Sequence, residues 1–402
     1  MGSKVVVVGG GLAGLVAAVS CARAGCAVTL LEAAPQPGGR ASTDDVGGFR
    51  FDRGAHALFL GGAAERTLAA LGVVLPGQRA PTPGSVVVVD GVVHPLIDGP
   101  LALAKAGWLG LGGRAALARF LWAVASPARH PTSGTAAEWL GEVADPRVRA
   151  LVRALTRVST YCGDLDRLDA RLAAHQLSVS LQHGVFYVDG GWQTMVDALA
   201  AAARTAGVEV HPGEPARSVG PDLRVETERG VHPADHVVLA VPPDRAEALL
   251  GRALPPRPGP AKVGALQLAI REEALAGGPR RLVLRDDPPV FVSDFSSVVP
   301  MGPAGVHVLH AIRYGASDQA RAEIEATLDQ VWPRWRSGVV AERWLPAMVT
   351  APSVPEPGRP RLPITAAGTP GLWLAGDAYG PEGHLADTAF ASARACAEGI
   401  GG

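Results

Sequence analysis

The sequence is short of lysine, cysteine and net charge, and each shortage removes a class of function. Only Lys4, Lys105 and Lys262 are lysines among 37 basic residues, a bias that coding preference explains as readily as function. The formal net charge is −1, which argues against a nucleic-acid binder, because such proteins carry a basic excess. The four cysteines (Cys21, Cys26, Cys162, Cys396) form no CxxC pair. With no secretory leader ahead of Val5, they read as reduced thiols of an intracellular, cytoplasmic protein. No uncharged apolar run reaches ~18 residues, so a membrane span is not expected. HExxH, GxSxG and Cys/His metal spacings are missing, which leaves hydrolase and zinc chemistry unsupported and no metal expected. Gly (50) and Pro (34) are plentiful but dispersed, so neither collagen nor a repeat array fits.

What is present is ordered most clearly at the start. At 402 residues the chain has room for two to three domains. It can bury about three-quarters of its unfolded surface. Val5 to Val8 is a β-branched run of the kind buried on both faces of a parallel sheet. A glycine cluster follows, then a helical stretch from Leu12 to Ala24 that stops at Gly25. Ala27 to Leu31 reads as a second buried strand ending at Glu32. Together these make one βαβ unit with a right-handed crossover. From about residue 95 to 185 helical segments dominate, among them Arg114–Ala125 and Val148–Thr160. Strand patterns return at Val208–Val210, Leu223–Thr227, His236–Ala240, Val263–Ile270, Arg281–Leu284 and Val306–Ile312. Asp318–Gln330 is an amphipathic helix. A Pro-rich connector covers Ala351–Pro363. A last strand (Leu372–Ala375) and a last helix (Ala386–Glu398) close the pattern.

Gly9, Gly11 and Gly14 fit GxGxxG. Gly9 permits the tight turn off the strand, Gly11 lets a pyrophosphate approach the backbone, and Gly14 allows helix to pack on strand. The helix N-terminus at Leu12 and Ala13 offers unpaired N–H groups to phosphate. Glu32, 18 residues after Gly14, can accept from ribose hydroxyls and disfavours a 2′-phosphate. The dinucleotide is NAD(P) or FAD. Pro37-Gly38-Gly39-Arg40 and the strand end Ala375-Gly376-Asp377 favour FAD. An Asp there can bind the ribityl hydroxyls, and the helix from Ala386 would aim its positive end at the flavin.

The sequence resembles the FAD-dependent amine oxidase, phytoene desaturase and protoporphyrinogen oxidase superfamily. The resemblance rests on Val5–Glu32, Gly38-Gly39-Arg40, Phe51–His56, Asp189-Gly190-Gly191-Trp192, Gly207–Val210 and Ala375-Gly376-Asp377, and is closest to the phytoene-desaturase-like branch. It implies an α/β fold: a glutathione-reductase-type FAD-binding Rossmann domain (residues 1–80, 187–245 and 355–402) with a mixed α+β substrate domain (81–186 and 246–354). By position it places Gly39, Arg40, Gly54, Ala55, His56 and Ala57 along the flavin. It sets a backbone group near Ala216 at the adenine, and Gly376, Asp377, Leu385 and Ala386 at the ribityl chain and ring.

Flavin N5 would then accept a hydride, and the protein need only place a C–H bond and exclude water. His56, Tyr379 and His384 are the candidates for moving a proton or touching substrate, with a histidine bonded to backbone as the competing reading of His56. The lysine that related amine oxidases hold near N5 has one counterpart by position, Lys262, which reads equally as a surface residue. His307 and His310 alternate within an apolar strand and read as structural. The apolar segment Leu96–Ala128, with Trp108 and Trp122, leaves room for peripheral membrane contact or for ordinary helix packing. The substrate is expected to be a small molecule. Desaturation of an apolar or polyene-like compound stands first. Amine oxidation and redox-neutral isomerisation on reduced FAD stand as alternatives. Neither the electron acceptor nor the oligomeric state is legible.

Overall fold

The first thirty residues fold as their pattern demands. In the computed structural model, which describes residues 2–54, 56–365 and 367–401, β1 (Lys4–Val8) leads into α1 (Leu12–Arg23) and β2 (Ala27–Glu32). Val5, Val6, Val7 and Val8 are all buried, each worth roughly 1.5–3 kcal/mol of hydrophobic stabilisation. β1 pairs in parallel with β2 on one side and with His236–Leu239 on the other. Glu209–Pro212 joins the β2 edge and Leu372–Leu374 the opposite edge, completing a five-stranded sheet in which every pairing is parallel.

α1 is buried along nearly its whole length because both sides are covered. The helix Ala386–Gly401 and the helix Gln193–Thr205 pack against it around one apolar cluster. Alanine and glycine at the contact let the backbones come close. The start, middle and tail of the chain therefore meet at this sheet.

A second, seven-stranded sheet is built from residues 86–95 and 261–351. Its order is Val339–Ala351, Ala261–Arg271, Val306–Tyr314, Val290–Asp294, Leu282–Arg285, Val86–Val89, Val92–Pro95. Ala261–Arg271 is apolar almost throughout because it is covered on both faces. Val263, Ala265 and Ile312 face the helices Leu111–Val124, Pro146–Thr160 and Ala170–His183. Leu266, Leu268 and Leu309 face the helix Ala320–Val331. The helix Pro146–Thr160 starts on Asp145, whose carboxylate accepts from the N–H groups of Arg147 (3.0 Å) and Val148 (3.1 Å). It stops at Tyr161, whose φ of +50° lies in the left-handed region.

Among the elements outside the sequence-based expectation are a charged hairpin and the longest strand. The hairpin Thr43–Val46/Phe49–Asp52 carries charge on most of its exposed face. Val339–Ala351, the longest strand, contains Glu342, Arg343 and Pro346. It reads as irregular, yet it is an edge strand, and proline is tolerated at an edge.

Candidate functional site

A cleft of about 500 Å3 opens along the carboxyl ends of β1 and β2, where Val8, Leu31 and Glu32 emerge, and continues past Ala240 and Ala375. Ligands bind in this position in open parallel sheets. Gly9 has φ +105°, a backbone that only glycine adopts without strain. The N-cap of α1 is Gly11, which supplies no side-chain cap, so the leading N–H groups stay free for an anion. Gly14 does not face the cleft. A Cβ there would overlap the Gly9 carbonyl oxygen, so its task is the close seating of helix on turn.

Glu32 is fixed by two backbone donors: Gly10 N–H donates to Oε2 (2.6 Å) and Ala34 N–H to Oε1 (2.7 Å). Its main-chain carbonyl accepts from Glu214 N–H (2.8 Å). The Glu214 carboxyl is pushed up by burial, but hydrogen bonds from His232, Thr227 and His211 outweigh this and hold it down at about 2. This joint sets the segment leading to Ala216. Ala216 lines the cleft, and its carbonyl accepts from Arg245 Nη2 (2.7 Å).

Across the cleft, Arg40 Nη2 lies 2.5 Å from Asp377 Oδ1. The Asp377 charge raises the Arg40 pKa. Gly376, Asp377, Leu385 and Ala386 all line the cleft beside Gly39, Arg40, Gly54, His56 and Ala57. Ala55 lies outside the described residues. An open helix N-terminus, a glycine turn, an anchored acid and an Arg/Asp pair along one groove fit a dinucleotide's phosphates, ribose and ribityl chain.

The proton-handling candidates fare differently. His56 lines the cleft and stacks on Trp192, ring centroids 4.4 Å apart. Burial, then the Arg40 charge, pushes its pKa down to about 3. The site therefore disfavours the protonated ring. His384 is not at the cleft. It is buried, with Nε2 2.7 Å from the Thr160 carbonyl oxygen, and burial lowers its pKa to about 4. It ties the turn before the last helix to the end of Pro146–Thr160. Tyr379 lines the cleft and belongs to a buried apolar cluster with Val8, Leu239 and Leu362. Burial keeps its hydroxyl protonated. Lys262 is exposed on the second sheet and does not line the cleft. His307 pairs with Asp294 (2.8 Å), and His310 packs on Phe295.

Sequence reasoning missed the remaining wall. Tyr161, Trp192, Met348, Val349 and Thr350 line the cleft beyond Gly54. Trp192 had a signal, since it closes Asp-Gly-Gly-Trp. The others come from a helix end and an edge strand with no local motif.

Residues 12–272 match the family described as flavin containing amine oxidoreductase. Carotenoid 3,4-desaturase from Haloarcula japonica is 49% identical over 71 residues, 18% of this chain and 14% of the relative. Phytoene dehydrogenase from Streptomyces griseus is 48% identical over 68 residues, 17% of this chain and 13% of the relative. The matched segments are thus a small part of these relatives' length. An oxidoreductase structure from Methanosarcina mazei superposes with a TM-score of 0.80 at 18% identity, covering 98% of this chain and 100% of that one. The fold is therefore shared along the whole length. The chain belongs to the flavin containing amine oxidoreductase family, a family of oxidoreductases, with FAD as its cofactor.

Proposed function

We propose that the chain removes a hydride from one carbon of a small apolar substrate and a proton from its neighbour, leaving a new carbon–carbon double bond, the hydride going to the flavin and the proton to the medium. The bound FAD supplies the two-electron acceptor. Gly9, Gly11, Leu12 and Ala13 hold the pyrophosphate through backbone groups, Glu32 holds the adenosine ribose, and Arg40 with Asp377 bracket the chain towards the ring. Leu385 and Ala386 border the ring end. The observation that carries the substrate class is the wall beyond Gly54. Tyr161, Trp192, Met348, Val349 and Leu385 present apolar surface there. The Thr350 hydroxyl is already given to the Tyr161 carbonyl (2.9 Å). Among the described lining residues the carboxylates are Glu32 and Asp377, both at the cofactor side. Such a wall excludes water and aligns a hydrocarbon, but it offers no counter-charge to an ammonium group. His56, held neutral against Trp192, packs rather than carries charge. Two relatives whose names are those of carotenoid-type desaturases support the same class.

In this reading residues 1–80, 187–245 and 355–402 carry the cofactor, and 81–186 and 246–354 the substrate. A peripheral membrane contact would bring in an apolar substrate. Residues 99–137 contain no Asp or Glu, and Leu101, Leu111 and Trp122 are exposed beside Lys105, Arg119 and Arg129. Anaerobic mixing tests the substrate class: a carotenoid-type polyene in detergent should bleach the visible flavin band, and a diamine should not. Bleaching by the amine alone would reject desaturation. Flotation with anionic liposomes tests the contact, and protein that stays at the bottom argues against it.

A further inference from the structure

Arg361 is a buried cation with no carboxylate partner among the described residues. It is 6% exposed. Its Nε donates to the Gly380 carbonyl (3.1 Å) and its Nη2 to the Gly383 carbonyl (2.6 Å), while Nη1 has no partner. Isolated buried charges are costly, and arginine is normally retained inside a protein by a carboxylate or phosphate. The loop that Arg361 grips is the one that serves the cofactor. Gly376, Asp377, Ala378 and Tyr379 precede it in the cleft wall, and Leu385 and Ala386 follow it. Asp377, the nearest acid of that loop, is engaged by Arg40. The other groups around the loop do not neutralise Arg361. His384 is uncharged, and Glu382 is drawn outward to Arg66 (2.9 Å) and Arg394 (3.3 Å). Burial lowers the Arg361 pKa to about 10, and the Asp377 charge offsets this only in part.

We propose that Arg361 is an electrostatic positioning residue whose incompletely compensated charge beneath the loop 376–386 favours the reduced flavin. The inference rests on FAD being bound in the cleft, not on the identity of the substrate. Hydride transfer brings two electrons and one proton, so the ring ends with one more negative charge than it had. A fixed cation in a low-dielectric setting stabilises that state over the oxidised one. By reciprocity the added charge stabilises the arginine, since one coupling free energy serves both.

The test is the two-electron midpoint potential of the holoenzyme, titrated against a reference dye. Arg361→Gln keeps hydrogen bonding to the carbonyls and removes the charge. It should lower the reduction equilibrium constant about tenfold, or about 30 mV for a two-electron couple. Arg361→Lys keeps the charge and should stay within about twofold of wild type. Arg361→Met replaces the Gln variant if that one does not retain flavin. An unchanged potential in a yellow, neutral variant overturns the proposal. A fall in the Lys variant as large as in the Gln variant also overturns it, by assigning the effect to the grip rather than the charge. Colourless wild-type protein would instead sink the cofactor reading on which the inference rests.

Discussion

The two walls of the cleft were made in different ways. The wall proposed for the phosphates is one continuous piece of chain, from Val8 through the glycine turn to Glu32. The facing wall is gathered from Gly54, His56, Ala57, Tyr161, Trp192, Met348, Val349, Thr350, Pro352 and Leu385, over three hundred residues of sequence. A pyrophosphate is recognised by backbone N–H groups and a helix end, so its site is a local motif. A hydrocarbon is recognised by shape alone, and shape needs only apolar bulk from whichever elements arrive there. The first kind of site advertises itself in sequence and the second does not.

The largest way to break this contrast is at Gly14. Gly14→Ala puts a methyl group into the Gly9 carbonyl. It should cost about 1–3 kcal/mol of stability by overpacking and yield protein without flavin colour, read by absorbance and thermal unfolding. A yellow variant of wild-type stability would mean that helix and turn are not held as described.

A paired experiment sharpens the contrast. Glu32→Gln weakens two charge-assisted hydrogen bonds and the proposed ribose contact, so FAD dissociation should rise by about 10–100-fold, from ~1.5–3 kcal/mol. Met348→Ala enlarges the far wall, and KM for the substrate should rise about tenfold at unchanged FAD affinity. Isothermal titration with FAD and steady-state kinetics read the two separately. If either variant moves both quantities alike, the walls are not independent.

The smallest effect is on acid stability. Burial holds His56 and His310 near 3 and His384 near 4 in the fold, against about 6.5 in the unfolded chain. As pH falls from 6.5 towards 4, the unfolded chain takes up these protons and the native state does not, so stability is lost. Asp52 and Asp387, pushed up to about 6 by burial, act oppositely, because the native state binds their protons first. The lowered His94 and His175 add to the loss and the raised His307 opposes it, leaving a net loss of stability as pH falls. Urea unfolding at pH 7 and pH 5 should show it. Asp52→Asn removes one counterweight and should make the loss steeper, and a shallower loss would contradict this balance.

The parallel sheet was legible because β1 is a pure valine run and its glycines sit in fixed register with Glu32. Asp377 was legible because a short strand ends in Gly-Asp. The strand Val339–Ala351 was not, since an edge position relaxes the need for alternation and Pro346 reads as a break. With that strand went Met348 and Thr350. His384 was misplaced for a related reason: adjacency to Asp377 in sequence does not say which side of the turn a ring occupies, and apolar packing drew it inward to Thr160.

Leu385, the turn residue just before the last helix, has φ +54°, where glycine or asparagine would sit more easily. The chain accepts roughly 1 kcal/mol or more of backbone strain to keep a branched apolar side chain at that corner. A glycine there would relax the turn and leave a notch in the groove. Robustness and selectivity should thus pull in opposite directions at this one position, making it a natural dial for anyone reshaping what the enzyme accepts.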